Sequence, residues 1–465
     1  MSTFRGIEIG RSAISTHKLA LDVVAQNVAS ANVSGYSRQS VQMKAVSYAQ
    51  SGLSDVQKFT GAGVTVERVA RLRDAFLDKQ IRQETATKGW ADARLETLNQ
   101  VEVVMNELES TGIRARLDEF WNALQELSLN PESVSVRATV VQRGEALCEA
   151  FRHTVEWLRQ LQENLNYQIQ TTVGRINDIA SQLAELNDQI VRARARGECS
   201  NLLEDRRDLL IDELSEFGPV DVTVRTEGAA IIKLGGFPIV DAYGLEKLEF
   251  QAVGASGYPV VTWGPEGRVL QIGTGRLKGL LEARDELAAS YIEDLNQLAR
   301  SIVDEVNALH RKGYGLDGTT TGLDFFVMGK DASDLQVRED ILKNPSLVAA
   351  SASGEPGDGS NALAMAQLKQ KTLMVNATAT WDDYIRSITA RLGIETQEAK
   401  RVSENQELLL KDLENRRESV SGVSLDEEAT EMIKLQHAYN AAARLITAYD
   451  ELLEVLISRT GLVGR

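Results

Sequence analysis

From Phe4 to Val28 the apolar residues Ile7, Ile14, Leu21, Val24 and Val28 fall close to three- and four-residue steps on one stripe, which predicts an amphipathic first helix. The period stops at Asn32-Val-Ser-Gly-Tyr, where Gly35 gives the backbone a freedom that other residues lack. From there through Gly61-Ala-Gly-Val-Thr-Val the pattern is extended or irregular. Helical spacing returns at Leu98, Val101, Met105 and Leu108. It returns again after Asn130-Pro131, which reads as an N-cap followed by Pro at the first helical position. The next seam is the longest, carrying Leu158, Leu165, Ile169, Ile176, Ile179, Leu183, Leu186 and Ile190. Spacing sustained well beyond ~25 residues predicts a coiled coil or rod-like bundle whose seam must be covered by partner helices. Two downstream stripes supply candidates: Tyr291, Leu295, Leu298, Ile302 and Leu309, then Ile385, Ile388, Leu392, Ala399, Val402, Leu409 and Leu413.

Between these helices the period changes. Val220-Asp-Val-Thr-Val, Ala230-Ile-Ile-Lys-Leu and Pro259-Val-Val-Thr-Trp are short β-type runs separated by Gly and Pro turns, so a β-rich insertion is expected. A second irregular stretch runs from Lys312 to about Ala379, with a surface loop at Ser351 to Ser360. The last helix opens on Ser424-Leu-Asp-Glu427, a capping-box sequence. Behind it Leu435, Ala438, Ala442, Leu445, Tyr449, Leu452 and Leu456 form a heptad seam. Met432, Tyr439, Ala443, Ile446, Leu453 and Ile457 lie beside that seam. An apolar arc this broad needs more than one neighbour. Both ends of the chain therefore read as adhesive helices, expected to be disordered or loosely helical near 1–50 and 425–465 in a free monomer.

Composition narrows the function. The chain has 465 residues, 43% hydrophobic but only 5% aromatic, so burial must rest mainly on Leu, Ile, Val and Ala. Its 51 Lys and Arg face 67 Asp and Glu, a net charge of -16 without a basic stripe, which argues against nucleic-acid binding. No apolar run reaches the ~18 residues of a membrane helix, and the start of the chain lacks a secretory signal pattern. Cys148 and Cys199 match no metal or redox spacing, and His17, His153, His310 and His437 are scattered. Gly313-Tyr-Gly-Leu-Asp-Gly318 satisfies a dinucleotide-binding pattern but follows a helix rather than a strand, so it reads as a turn after a helix ending near His310. Ser15-Thr-His-Lys18 lacks the companion elements of an acyl-transfer site. No cofactor, metal or catalytic group is expected.

Asn27-Val-Ala-Ser-Ala-Asn-Val-Ser-Gly-Tyr-Ser-Arg-Gln39 resembles the N-terminal signature of flagellar axial proteins, with Val33 where Thr is usual. Ser421-Gly-Val-Ser-Leu-Asp-Glu-Glu428 followed by Gln436-His-Ala-Tyr-Asn440 is similar to their C-terminal signature. Within that superfamily Asn201-Leu-Leu-Glu-Asp-Arg-Arg-Asp-Leu-Leu, Gly275-Arg-Leu-Lys-Gly-Leu-Leu-Glu-Ala-Arg-Asp and Gly313 through Phe325-Phe326 resemble the hook-associated branch. The resemblance implies a structural subunit joining hook to filament, the alternative being a hook, rod or flagellin-like axial protein. The implied fold is mainly α with a β-rich insertion, elongated and multi-domain. Residues 1–60 with 420–465 would form an inner coiled-coil domain, 61–215 with 276–419 a helical rod including the irregular 312–379, and 216–275 an outer β domain. Implied partners are the hook protein, a second hook-filament junction protein, copies of the chain itself, and an export chaperone at the C-terminal helix. No nucleic acid and no membrane insertion are implied. The implied location is extracellular, in the flagellum, after export without a cleaved signal peptide. The residues expected to make the assembly interface are Ile7, Ile14, Leu21, Val24, Val28, Gly35, Tyr36, Leu435, Tyr439, Leu445, Tyr449, Leu452 and Leu456. A partner-binding surface on the β region could coexist with this role.

Overall fold

The computed structural model describes residues 4–47, 61–106, 112–241, 244–251 and 257–459. Leu108 of the second helical stripe lies outside them. The helices are α1 (Phe4–Ser30), α2 (Ala75–Asn106), α3 (Ile113–Leu129), α4 (Val134–Ala195), α5 (Asn201–Phe217) and α6 (Arg276–Glu282). They continue with α7 (Ala288–His310), α8 (Glu339–Lys343), α9 (Ser360–Ala366), α10 (Trp381–Ser421) and α11 (Leu425–Arg459). The strands are β1 (Gln39–Ser47), β2 (Gly61–Arg71), β3 (Val220–Val224), β4 (Ala230–Leu234) and β5 (Phe237–Val240). Shorter ones follow: β6 (Leu248–Gln251), β7 (Val260–Trp263), β8 (Arg268–Val269), β9 (Phe326–Val327) and β10 (Gln336–Val337).

The chain forms two compact units, one from residues up to Thr85, Asn177–Lys247 and those from Glu407 on, the other from Ala86–Ile176 and Leu248–Gln406. In the first unit, β1 and β2 make an antiparallel pair with Val41 opposite Val69, where the sequence reads only as extended or irregular. The β-type runs sort into two three-stranded antiparallel sheets, β3-β4-β5 and β6-β7-β8. The first sheet belongs to the first unit and the second to the second. Pro238 sits in β5, an edge strand, where its missing N–H costs no ladder bond.

All eight residues of the long α4 seam are buried. Of the stripes proposed to cover it, Tyr291, Leu295, Leu298, Ile302, Ile385, Ile388, Leu392, Ala399 and Leu413 are also buried. Leu409 is not. Leu410 takes its place, clustering with Leu413, Leu77 and Ile81. From Ala399 the face advances by eleven residues, three turns of a straight helix, whereas a strict heptad drifts off it. Asn130 also differs from its expected role: it closes α3, its N–H bonded to Glu126 O, and α4 begins only at Val134. Ser133 supplies the N-terminal cap, its hydroxyl accepting from Val136 N at 3.4 Å. Asn and Pro serve a helix stop as readily as a start, and the local spacing does not separate the two.

The second unit gathers its few aromatics. Phe120 lies 5.6 Å from Phe325 and 5.5 Å from Phe326, and Trp121 stacks on Trp381 at 5.4 Å. A π-helical turn, Ala283–Leu287, links α6 to α7 and buries Arg284, which forks onto Asp285 and reaches Asn166 and Pro259 O. Between Met374 and Ala379, Val375, Asn376 and Ala377 are all left-handed, with φ of 51°, 56° and 63°. A β-branched residue is strained there. Val375→Gly is expected to stabilise this unit by about 1 kcal/mol, read as a later urea midpoint by tryptophan fluorescence. An earlier midpoint would show that the exposed Val375 side chain contributes more than the strain costs.

Candidate assembly interface

The two terminal helices, far apart in sequence, lie against each other with opposite direction. Gly6 faces Tyr449 so closely that a Cβ there would stand 2.1 Å from the ring, Gly10 faces Ile446 and Leu445, and Ala20 and Val24 cluster with Leu435. The centre of the contact on α1 is a register of small residues, which lets the helices approach. Val24, buried, continues that register, and the other large residues flank it: Ile7, Ile14 and Leu21 are half-buried and Val28 is 38% exposed. On α11, Leu435 is buried and Tyr439 and Tyr449 are half-buried. Leu445, Leu452 and Leu456 are 40%, 56% and 45% exposed, and Ile457 reaches 79%. With Gly6 opposite Tyr449, about two turns of α11 run past the first described residues of α1. The β1–β2 pair covers another side of α1: Ser12 Oγ accepts from Val64 N at 3.3 Å and Thr16 Oγ1 donates to Val64 O at 3.2 Å.

At the other end of the pair the two sequence signatures meet. Gly35, at φ 77°, turns the chain back after α1. Buried Asn27 then satisfies both ends of its amide: Nδ2 donates to Gln39 O and Glu428 Oε2, each at 2.9 Å. Its Oδ1 accepts from Tyr36 OH at 2.7 Å and Gln39 N at 3.0 Å. Arg38 donates from Nε to Glu428 Oε1 and from Nη1 to Glu427 Oε2, both at 2.6 Å. Its backbone N–H reaches Ser421 O at 2.9 Å. The capping-box expectation is corrected in part here. Ser424 Oγ accepts from Glu427 N at 3.5 Å, a marginal bond, but the Glu427 carboxylate turns to Arg38. Burial, with Asp205 and Glu428 nearby, pushes the Tyr36 hydroxyl up to about 12, so it remains a donor at ordinary pH.

Asn201-Leu-Leu-Glu-Asp-Arg-Arg-Asp, read from the sequence only as a resemblance, is the third component. On α5 it forms an acidic comb: Arg71 pairs with Glu204 and Asp205 at 2.9 Å each and with Asp208 at 2.7 Å, and Arg73 binds Asp78 and Asp208. Arg82 and Arg417 meet on Asp212 at 2.7 and 2.8 Å. Asn201 Nδ2 donates to Gln39 Oε1 at 3.0 Å, and Ser37 N to Asp205 Oδ2 at 3.3 Å. Buried charges survive only when paired and hydrogen-bonded, and this network holds the helix start, the strand pair and α5 together. Asn27, Arg38, Glu427, Glu428 and Asp205 are therefore components that an apolar-stripe search does not select. The polar positions inside the two signatures were the available signal. No helix among the described residues is long and apolar enough to cross a membrane.

Comparison with known proteins agrees with this arrangement. The family model for the flagellar hook-associated protein FlgK helical domain matches residues 98–326, and that for the flagellar basal body rod FlgEFG protein C-terminal matches residues 417–459. Flagellar hook-associated protein 1 of Bacillus subtilis (strain 168) is 34% identical, covering 100% of each chain. Its Escherichia coli (strain K12) counterpart is 26% identical over 96% of this chain and 98% of its own length. In fold, the chain is similar to the flagellar hook junction protein FlgK from Burkholderia pseudomallei, with TM-score 0.65 and 17% identity, covering 74% of this chain and 100% of that one. A terminal helix pair locked by both signatures, joined to a helical body, defines a structural flagellar protein rather than an enzyme. Within that class the chain belongs to the flagellar hook-associated protein 1 family. Its function is that of a structural component of the hook–filament junction of the bacterial flagellum.

Proposed function

We propose that the chain works outside the cell as several copies of itself, contacting the hook protein on one side and the second hook-filament junction protein on the other. It arrives there by export, after an export chaperone has held its C-terminal helix. Residues 1–60 with 420–465 serve as the inner assembly domain, 61–215 with 276–419 as the helical body, and 216–275 as the outward β region. The observation that carries this reading is the exposed apolar arc beside the α1–α11 contact, with Val28, Leu445 and Leu452 38%, 40% and 56% exposed. Burying one such Leu contributes ~1.5–3 kcal/mol, a gain that a contact with another chain supplies. The assembly residues are Ile7, Ile14, Leu21, Val24, Val28, Gly35 and Tyr36 at one end, and Leu435, Tyr439, Leu445, Tyr449, Leu452 and Leu456 at the other.

Leu452→Asp and Tyr449→Asp test the reading. An exposed substitution leaves monomer stability within about 0.5 kcal/mol, whereas an Asp forced into an apolar contact between chains loses its hydration. In cells carrying either variant as the sole copy, filaments are expected to detach or fail to form, with flagellin rising in the medium. Tyr449 is half-buried on Gly6, so Leu452→Asp is the cleaner variant. Wild-type filament attachment in both would refute the assigned surface. Amide exchange of the dilute monomer should be fast along 446–459 and slow around Asn27 and Gln39, where the buried lock holds the backbone, which narrows the loose segments expected from the sequence at 1–50 and 425–465.

A further inference from the structure

Beside the Asn27–Arg38–Glu428 lock lies an open groove of about 560 Å³, contained within the first unit. Its floor is apolar, made by Ala20 and Val24 of α1, Val41 of β1 and Leu435 of α11. Its wall is acidic on balance: Asp426, Glu427, Glu428 and Glu431 face Arg38, which holds Glu427 and Glu428, and Lys434, which holds Glu431 at 3.0 Å, so four carboxylates meet two cations. A fitting occupant is a segment with medium-sized apolar side chains flanked by cations. The chain contains such a segment in Arg459-Thr-Gly-Leu-Val-Gly-Arg465, with two arginines, no acidic side chain, and Leu462-Val463 between them.

That segment cannot reach its own groove. From Glu431 to Arg459 the α11 axis extends roughly 42 Å at 1.5 Å per residue, whereas residues 460–465 span at most about 21 Å fully extended. The geometry points to a contact between copies, in which residues 459–465 of one chain enter the groove at the start of α11 in a second chain. This rests on the reading that the chain assembles with itself, and adds the surface and the direction: head to tail. Such a contact uses two different patches, so it builds a ring or a helical array rather than a two-fold dimer. The competing occupant is residues 48–60 of the same chain, which follow β1 in sequence. They carry Asp55 and Lys58, no net charge, so the acidic wall does not favour them.

The test is a fluorescently labelled peptide of residues 458–465, capped at both ends, titrated into the purified full chain and followed by anisotropy. Saturable binding with half-saturation below about 1 mM is expected. Glu431→Lys, at the rim and outside the lock, should weaken it about tenfold. A peptide with Glu in place of both arginines should prefer that variant over the unmodified chain. Absence of saturation, or equal binding to the Glu431→Lys chain, overturns the proposal. Binding that emerges only when residues 48–60 are deleted assigns the groove to that loop and overturns it equally. Any of these failures leaves the junction role standing, because that role is tested by filament attachment in cells.

Discussion

Replacing Arg38 by Ala is expected to destabilise the first unit by about 3 kcal/mol, toward the lower end of what breaking a buried ion pair costs, because Arg38 is itself partly exposed. The cause is the partner left behind. Glu428 is buried, and without Arg38 its carboxylate keeps the Asn27 amide on one oxygen while the other loses its 2.6 Å donor. The same change releases Glu427, so the turn after α1 is no longer fastened by side chains to the start of α11. Adding Glu428→Gln to Arg38→Ala removes the stranded charge and should recover part of the loss, since the two positions are directly coupled. All five tryptophans, Trp90, Trp121, Trp157, Trp263 and Trp381, belong to the second unit. Amide exchange at Asn27, Gln39 and Glu428 should therefore accelerate in Arg38→Ala while the tryptophan unfolding transition stays in place. Unchanged exchange at these amides would show that the lock contributes little.

His310→Leu is the counterpart in the second unit, with an expected cost of about 2–4 kcal/mol at neutral pH. The imidazole, at the end of α7, is buried and bonded on both sides: Nε2 accepts from Ala349 N at 3.0 Å, which leaves Nδ1 as the donor to Leu323 O at 2.7 Å. A Leu leaves both backbone groups without that partner. A proton on Nε2 would likewise abolish the acceptor for Ala349. Burial lowers the His310 pKa to about 4; the bond to Leu323 O and the charge of Asp324 counter this in part, and Arg137 adds to it. In the unfolded chain the group titrates near 6.5, so the unfolded state takes up the proton first. His310 therefore contributes its full stability above about pH 6.5 and loses it as pH falls towards 4, by about 3 kcal/mol at 1.36 kcal/mol per unit. Urea unfolding followed by tryptophan fluorescence should show the wild type losing more stability than His310→Leu between pH 7 and 4.5. Parallel losses would remove His310 as the cause.

Patterns with a local cause were legible in advance. The α4 seam follows from helical spacing, the stop at Gly35 from a turn that needs positive φ, and the turn after His310 from Gly at a helix end. What escaped depends on the other end of a contact. Nothing near Arg38 in sequence indicates that its guanidinium will find Glu428, and the two signatures stand out only as a resemblance until the fold joins them. Leu409 was misplaced because a heptad count ignores the drift of a straight helix, and Asn130 because the same residue types stop helices and start them. The apolar stripe on α1 was correctly seen as amphipathic. Yet its heptad-spaced large residues, Ile7, Ile14, Leu21 and Val28, border the contact with α11, while Gly6, Gly10 and Ala20 sit at its centre. Hydrophobicity marks what must eventually be covered; close approach selects small residues that a search for apolar stripes passes over.

The junction role is tested most directly by electron microscopy of cells lacking this gene, with flagellin assayed in the culture medium. Hooks without filaments, and flagellin shed into the medium, are the expected result. Intact filaments on those cells would contradict the role.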